Sequence, residues 1–573
     1  MKKERWVVSA KRADFQAIAD RFGIDPVIAR LIRNRDVTGE KEIEEYLFGD
    51  LEQLHDPLLM KDMERAADLI AEKIREKKPI RIIGDYDIDG VTATYILLTG
   101  LKDLGADVDV RIPDRIADGY GLNEHLVQFA ADEGRDTIVT CDNGIAAGSQ
   151  IRLAKELGMT VVVTDHHEVP FEEDENGERR YILPPADAVV NPKQKDCSYP
   201  FPGLCGAAVA WKLIQTMEAK AGIPKEHSFR FLEFVAIATI GDVMDLVGEN
   251  RVFVKKGLEL LKTTKNEGLH ALMQCTGVDT ANLNTYHIGF VIGPCINAGG
   301  RLDTAKRALE LLNASNRREA VTLAADLKEL NDSRKEMTEE GVEEAVRQIE
   351  SSSWKDDQVL VVYLPECHES IAGIIAGRIK ERYYRPTFVL TKGETGVKGS
   401  GRSIEAYDMF AEMSRCRELF TKFGGHKLAA GLSLEEEKVE VFRKRINELA
   451  DLTEEDLQMK VSIDMRLPFP YINEELIHEL KILEPFGKGN GKPLFAESKL
   501  RVIQPRIFGK NRNVLKCRLE DQQGNQMEAV YFGEVEDCLR QMEKKQIMSF
   551  TYYPSINEYM GRRTIQLTIV NYQ

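Results

Sequence analysis

Short apolar runs alternate with amphipathic, helix-length segments from about residue 79 onwards. Four of these runs are rich in β-branched residues: PIRII (79–83), DVDVRI (107–112), DTIVTC (136–141) and MTVVV (159–163). A helix-length stretch follows each of the first three. Apolar runs of this length between helices indicate βαβ units and a parallel sheet. We therefore predict an α/β fold whose first sheet is parallel.

In the rest of the chain, the pattern of apolar and polar residues changes twice. A long polar helix leads into a second α/β pattern near residue 357, and the last 120 or so residues alternate like the short strands of a small barrel such as an OB-fold. The pattern predicts five segments: a charged helical N-terminal region (1–78), a first α/β domain (79–314), a connecting helix (315–350), a second α/β domain (351–452) and a C-terminal β domain (453–573).

Acidic and histidine residues follow three strands of the first predicted sheet, at the point where each strand ends. They are Asp85, Asp87 and Asp89 after the first run, Asp142 and Asn143 after DTIVTC, and Asp165, His166 and His167 after MTVVV. A further carboxylate, Asp242, follows an apolar helix-like run. Ligands of open parallel sheets bind outside the carboxyl ends of the strands, so we expect these side chains to line one crevice.

Several carboxylates in one crevice repel each other unless cations lie between them. Oxygen ligands with one or two imidazoles suit Mn²⁺ or Mg²⁺, whereas zinc sites are richer in thiolate or histidine. Two such ions about 4 Å apart would clamp a phosphate and activate water for in-line attack. Each Asp alone could equally be a turn former or a helix N-cap. Caps, however, require neither Asp-x-Asp-x-Asp nor adjacent histidines, so we predict metal-assisted phosphoester hydrolysis.

Three glycine-rich segments combine backbone amides with polar or cationic side chains. INAGGRL (296–302), GSGRSI (399–404) and FGGHKLAAG (423–431) could each approach an anion, and an Arg donates two parallel hydrogen bonds to phosphate. Glycine pairs also mark ordinary turns, so the segments alone leave both interpretations open.

The ordered motifs GDYDIDG (84–90), CDNGI (141–145), TDHHE (164–168) and GDVMD (241–245) resemble those of the DHH phosphoesterase family, named for its Asp-His-His triplet. The resemblance extends to the single-strand-specific exonucleases of that family and covers about residues 40–573. It implies a parallel-sheet phosphodiesterase domain, joined by the long helix to a companion DHHA1 domain, and a C-terminal OB-like barrel.

The resemblance also implies roles for individual residues. The implied metal ligands are Asp85, Asp87, Asp89, Asp142, His166 and Asp242, and the implied catalytic residues are His167, Asp165 and the bridging Asp142. The residues implied to hold the terminal phosphate are Arg301, Ser400, Arg402, Gly424, Gly425 and His426. Three positions depart from the family pattern. Ile83 stands where many members have a histidine, with Asp85 as its substitute, Cys295 replaces an arginine, and Ser370 replaces a glycine.

The charge balance bears on the partner. The net charge of −16 disfavours a nucleic-acid partner, yet segments 370–430 and 481–573 each carry a net charge of +5. Part of the acidic excess is the predicted metal site itself. Phe486 and the tyrosines of TYYP (551–554) could stack on bases or form ordinary β-domain core.

The resemblance implies an exonuclease that uses two Mn²⁺ or Mg²⁺ ions to cut single-stranded DNA from a free 5′ end into 5′-mononucleotides, in DNA repair and recombination. The alternatives are a phosphodiesterase acting on short RNA or cyclic dinucleotides, and a non-catalytic DHH-fold protein that binds single strands. The resemblance suggests a single-strand-binding protein and a helicase as partners. We expect a protein of the cytoplasm, since nine cysteines without a C-x-x-C pair indicate reduced thiols. No apolar run reaches the roughly 18 residues of a membrane helix, so we expect no membrane association. We also expect a monomer.

Overall fold

In the computed structural model, which describes residues 4–115, 118–119, 121–174, 177–393, 396–509, 511–559 and 561–573, the first apolar runs form a five-stranded parallel sheet. Its strands are β1 (Ile80–Ile83), β2 (Val108–Arg111), β3 (Thr137–Cys141), β4 (Thr160–Thr164) and β5 (Ala188–Val190). The spatial order is β2-β1-β3-β4-β5. β1 and β3 are buried along their whole length, which is why they read as continuous apolar runs. The short β5 escaped the sequence pattern.

Helices cover this sheet. They include α1 (Ile88–Asp103), α2 (Glu124–Asp132), α3 (Gly148–Glu156), α4 (Gly206–Lys220) and α5 (Leu232–Gly241). α1, α4 and α5 pack against one another and are buried on almost every side, so they lack the polar face of a surface helix. Further helices are Met63–Arg75, Gly248–Leu261, Glu267–Cys275, α6 (Gly293–Leu302) and Lys306–Leu312.

The predicted polar helix is the 34-residue α7 (Arg317–Glu350), about 51 Å long at 1.5 Å per residue. Its buried residues recur every three to seven positions, which leaves a narrow apolar stripe on an otherwise solvated helix. It leads into the companion sheet of β6 (Leu360–Tyr363), β7 (Thr387–Gly393), β8 (Gly396–Arg402), β9 (Phe420–His426) and β10 (Ala429–Leu434), in the order β9-β10-β8-β7-β6. The helices α8 (Ala372–Tyr383) and α9 (Val439–Leu449) belong to the same domain.

Except for the first part of the helix Gly248–Leu261, these elements form one compact unit, which contains residues 55–244 and 256–459. A second unit contains residues 5–54, 245–255 and 460–573. The second unit holds a barrel of β11 (Phe495–Phe508), β12 (Val514–Glu520), β13 (Gln526–Tyr531), β14 (Ile547–Tyr559) and β15 (Arg562–Tyr572). The order is β11-β12-β13-β15-β14, and pairing of β14 with β11 closes the ring. A closed barrel leaves no sheet edge within this ring.

The N-terminal helices share the barrel's core. Phe15–Phe22, Pro26–Asn34 and Glu40–Phe48 contribute apolar side chains to the cluster that contains Phe495 and Phe550. The tyrosines of TYYP belong to this core, since Tyr552 and Tyr553 are both buried. Within the part of the chain that the structure describes, no helix is both long and apolar enough to cross a membrane.

Candidate metal centre and phosphate cleft

The carboxyl ends of three neighbouring strands bring the predicted acidic and histidine residues together. β1, β3 and β4 are adjacent and parallel, with Ile83 opposite Thr140 and Cys141 opposite Thr164. The turns after these strands therefore emerge side by side and carry Asp85 to Asp89, Asp142, and Asp165 to His167. Adjacency of strands distant in sequence creates the crevice.

His166 lies at the centre of the first group of ligands. Its Nε2 is 3.0 Å from Asp142 Oδ1, 3.5 Å from Asp89 Oδ2 and 3.7 Å from Asp242 Oδ2. Burial, with the charge of neighbouring His167, lowers the pKa of His166 to about 3. The ring is therefore neutral, which is the form that binds metal ions.

A second group consists of Asp85, Asp87 and Asp142. One carboxylate oxygen of each lies within 4.8 Å of the others, and Asp142 also belongs to a group with His166 and His167. Burial, and then the charge of Asp87, raises the pKa of Asp85 to about 7. Among the residues described, Asp85 Oδ1 is buried without a hydrogen-bond partner. Two oxygen-rich groups that share one carboxylate fit two divalent cations.

The first turn of α4 holds the buried ligands in place. Asp89 accepts hydrogen bonds from the backbone N–H of Gly206 (2.6 Å) and Ala207 (2.7 Å), at the positive end of the helix dipole. Burial and the charges of Asp242 and Asp87 nevertheless raise the pKa of Asp89 well above its usual range. Asp142 has a left-handed backbone (φ +60°), and a Cβ placed on Gly206 would lie only 2.6 Å from its Cβ. Glycine at 206 therefore makes room for the shared carboxylate.

Asp87 fits both interpretations that the sequence left open for each Asp, the helix N-cap and the metal ligand. It is the N-cap of α1, where its Oδ1 accepts hydrogen bonds from the N–H groups of Asp89 (2.9 Å) and Gly90 (3.1 Å). The cap uses one oxygen, so the other oxygen is the candidate ligand.

His167 and Asp165 form a separate ion pair beside the ligands. Asp165 Oδ1 lies 2.8 Å from His167 Nδ1, and Asp165 Oδ2 accepts from the N–H of Ile145 at 2.9 Å. Burial opposes the charge on His167, but the hydrogen bond to Asp165 and its negative charge outweigh it and raise the pKa of His167 to about 9. Asp165 therefore fixes the orientation of the His167 ring through its Nδ1.

A cleft of about 450 Å³ lies between the parallel-sheet domain and the companion domain. The predicted residues Ser400 and Gly424 line it, together with Arg115, Ser370 and Lys398. Gly425 and His426 are not among its lining residues; His426 is exposed on β9, and its Nδ1 accepts from the N–H of Leu428 at 3.3 Å.

The guanidinium groups of Arg115, Arg301 and Arg402 lie near one another at this cleft. Arg402 donates to Ser400 Oγ at 3.2 Å, and Arg301 donates to the carbonyl oxygen of Ser370 at 3.0 Å. Burial, and then the charges of Arg115, Arg334 and Arg402, lowers the pKa of Arg301 to about 10. Mutually repelling cations of this kind suit a phosphate group.

Glycine also keeps the cleft open at the first turn of α8. A Cβ on Gly373 would lie 2.7 Å from Arg402 Nη2 and 2.8 Å from Ser400 Oγ. An anion beside these two side chains would therefore also lie next to the backbone of Gly373.

Our sequence reasoning missed Arg115 and Gly206. Arg115 follows β2, so its place after a strand of the same sheet could have indicated it. For Gly206 the sequence offers no signal, because its role depends on Asp142 lying opposite. Cys295 is buried on α6, where its thiol donates to the carbonyl of Val291 at 3.3 Å and burial raises its pKa to about 11.

Comparison with known proteins supports the fold described above. Family models match three stretches: the DHH family N-terminal domain at residues 79–239, the DHHA1 domain at 356–451 and the RecJ OB domain at 463–571. The chain is 36% identical over 574 residues to the single-stranded-DNA-specific exonuclease RecJ of Bacillus subtilis, covering 99% of this chain and 70% of that protein.

Solved structures give the same result. RecJ of Thermus thermophilus in complex with Mn²⁺ aligns with a TM-score of 0.84 and 28% identity, over all of this chain and 80% of that one. The Mg²⁺ complex of the same protein aligns with a TM-score of 0.78 and 27% identity, over all of this chain and 78% of that one.

Proposed function

The chain belongs to the RecJ family of single-stranded-DNA-specific exonucleases, and we propose that it hydrolyses single-stranded DNA from the 5′ end into 5′-mononucleotides in DNA repair and recombination. The observation that carries this proposal is the position of Asp142 at the strand ends, where it groups with Asp85 and Asp87 on one side and lies 3.0 Å from His166 on the other. The OB-domain match favours a polymeric substrate over short RNA or cyclic dinucleotides. Retention of a ligand at every metal position argues against a purely DNA-binding protein.

We assign the metal ligands as Asp85, Asp87, Asp89, Asp142, His166 and Asp242, with Asp142 shared. Two Mn²⁺ or Mg²⁺ ions held there would supply Lewis acidity at the scissile phosphate and activate a water molecule for in-line attack. Asp165 positions His167 and keeps it protonated, so that its Nε2 can donate to a phosphate oxygen as negative charge develops there. Gly206 and Ala207 orient Asp89 through their backbone N–H groups.

The companion domain would hold the 5′ end. Arg301, Ser400 and Arg402, with the added Arg115, supply donors for a terminal phosphate, and Gly424 lines the same cleft. Gly425 and His426 remain candidates for contacts with a longer strand, since they follow Gly424 on β9. Because these contacts are ionic, binding should weaken steeply with added salt despite the acidic net charge.

The setting of the reaction follows from the same reasoning. We propose that the protein acts in the cytoplasm, since the nine cysteines are all free thiols. We also propose that it acts as a monomer. A helicase would provide single strands, and a single-strand-binding protein would keep them open.

The test uses single strands labelled at either end, incubated with the wild-type protein or with Asp142→Ala in Mn²⁺ or Mg²⁺. We expect labelled mononucleotides at once from 5′-labelled strands and only late from 3′-labelled strands. The variant should stay folded by circular dichroism and lose at least 100-fold in rate. Early release from the 3′ end would refute the polarity, and full activity of the variant would refute the metal assignment.

A further inference from the structure

The phosphate cleft is larger than a single phosphate group requires. Its volume is about 450 Å³, and a terminal phosphate fills only a small part of that space. One wall of the cleft is made by three adjacent strands of the companion sheet, β8, β10 and β9. The rest of the cleft therefore extends along the surface of that sheet.

The terminal-phosphate donors occupy one row of residues across these strands. Ser400 on β8 is opposite Gly431 on β10, which is opposite Gly424 on β9, and all three line the cleft. Ser400 accepts a hydrogen bond from Arg402 at 3.2 Å, and Arg402 in turn lies near Arg301. This row is thus the part of the sheet that belongs to the terminal-phosphate site.

The next row along the same face carries two lysines. Lys398 on β8 is opposite Ser433 on β10, which is opposite Lys422 on β9, and these three residues, the lysine row, also line the cleft. Residues two apart on a strand point to the same face, so the lysine row lies about 7 Å from the row of Ser400. Arg402 lies two residues beyond Ser400 in the other direction. The lysine row and Arg402 are therefore on opposite sides of Ser400.

Both lysines are accessible to an anion. Lys422 is exposed, and among the residues that the structure describes it has no ion-pair partner. Lys398 is paired with Glu369, whose Oε2 lies 2.7 Å from its Nζ, and the two side chains are 44% and 24% exposed. Ion pairs in contact with water are weak, so a multiply charged phosphate can displace Glu369.

The chemistry of the lysine row suits phosphate groups better than a nucleobase. Ammonium and hydroxyl groups donate hydrogen bonds to phosphate oxygens, and those to a charged oxygen are the stronger kind. The aromatic residue of this part of β9 is Phe423, which alternates with Lys422 along the strand and so directs its ring to the other face. There the ring packs with those of Phe410 and Phe420, at centroid distances of 5.8 and 5.3 Å.

We propose that the lysine row is a subsite for the β and γ phosphates of a strand that carries a 5′-triphosphate. This inference rests on the proposed function, in which the first phosphate of the strand is held at Ser400 and Arg402. The two further phosphates then extend away from the strand, over a length comparable with the spacing of the two rows. A strand made by cleavage begins with a monophosphate, whereas a strand started from a nucleoside triphosphate begins with a triphosphate. The subsite lets the protein accept both kinds of end.

The subsite also determines the first product. Water attacks the phosphorus between the first and second nucleotides, and the bond from that phosphorus to the 3′ oxygen of the first nucleotide breaks. The first nucleotide leaves with its 3′ hydroxyl and all three 5′ phosphates. A triphosphate strand should therefore release one nucleoside triphosphate and then only mononucleotides.

The test uses one oligodeoxynucleotide with a 5′-monophosphate or a 5′-triphosphate and a fluorophore at the 3′ end. Affinity is measured in EDTA by anisotropy, and products formed in Mn²⁺ are separated by chromatography. The variants are Lys398→Ala/Lys422→Ala, Glu369→Gln and, as a control, Lys444→Ala. Lys444 is 81% exposed on α9, whose apolar side chains pack against the opposite face of the companion sheet.

The wild type should bind the triphosphate strand about fivefold more tightly than the monophosphate strand and release a nucleoside triphosphate first. The double lysine variant should lose this preference, and Lys444→Ala should keep it. Glu369→Gln should increase the preference about threefold, because the competing carboxylate is gone.

Equal affinity of the wild type for the two strands, or a preference that survives in the double lysine variant, would overturn the inference. A free deoxynucleoside triphosphate that binds more tightly than the triphosphate strand would also overturn it, in favour of a site for free nucleotides. If the wild type degrades neither strand in Mn²⁺, the proposed function itself fails, whereas the affinities in EDTA still report on the subsite.

Discussion

Gly206→Ala is the substitution that tests the metal centre most sharply, because it adds one methyl group and removes no ligand. The new Cβ would lie 2.6 Å from Asp142 Cβ, 2.8 Å from its Oδ1 and 2.9 Å from its Cγ. Carbon atoms in contact are ordinarily about 3.5 to 4.0 Å apart. Either the Asp142 turn or the start of α4 must therefore move by roughly 1 Å.

This movement should lower the activity, because metal sites tolerate only small displacements of their ligands. Metal–ligand distances vary by only about 0.2 Å, and a misplacement of about 1 Å at a reacting centre reduces rates by about 100-fold. We expect Gly206→Ala to lower kcat/KM in Mn²⁺ by about 100-fold and to weaken Mn²⁺ binding measured by calorimetry. Its free energy of unfolding should fall by only about 1 to 3 kcal/mol, as for other overpacked sites.

A matched control is available in Gly148→Ala. Gly148 is also the first residue of a helix in the same domain, but a Cβ there would meet nothing within 4 Å. This variant should keep wild-type activity and metal affinity. If Gly206→Ala matched it in both measurements, Asp142 could not be the tightly held, shared ligand that the geometry indicates.

Three further predictions concern other parts of the molecule. Burial raises the pKa of Glu233 to about 7, so the folded state loses about 3 kcal/mol of stability as the pH rises from about 4.5 to 7 and this carboxyl group ionises. In urea unfolding, Glu233→Gln should therefore be more stable than the wild type at pH 8 but not at pH 4.5. An equal gain in stability at both pH values would show that ionisation of Glu233 is not the cause. Arg251 donates to the carbonyl oxygens of Tyr46, Leu483 and Ile482 at 3.0, 2.9 and 2.8 Å. Arg251→Met would remove these hydrogen bonds and should destabilise the barrel unit by about 3 kcal/mol in urea unfolding. An unchanged unfolding midpoint would show that the carbonyl oxygens find other partners. Arg402→Gln should raise KM by about tenfold for 5′-phosphorylated strands only; an equal rise for 5′-hydroxyl strands would place Arg402 elsewhere on the strand.

Much of the catalytic domain could be predicted because its signals are local. An apolar run ended by Asp or His specifies both a buried strand and the chemistry at its end. The strands of the parallel sheet follow from short continuous apolar runs, and the barrel strands follow from a period of two residues. The 34-residue helix follows from its long polar stretch with a narrow apolar stripe. The order of the motifs was enough to indicate the family and its metal ions.

Contacts between distant segments were decided by tertiary structure alone. Sequence spacing could not reveal that residues 5–54 complete the core of a barrel more than 400 residues later, or that Tyr552 and Tyr553 pack inside it. Nor could it place Gly206 against Asp142, or bring Arg115 beside Arg301 and Arg402. The physical reason is that periodicity records which face of an element is buried, whereas the identity of the covering element depends on how all faces pack at once.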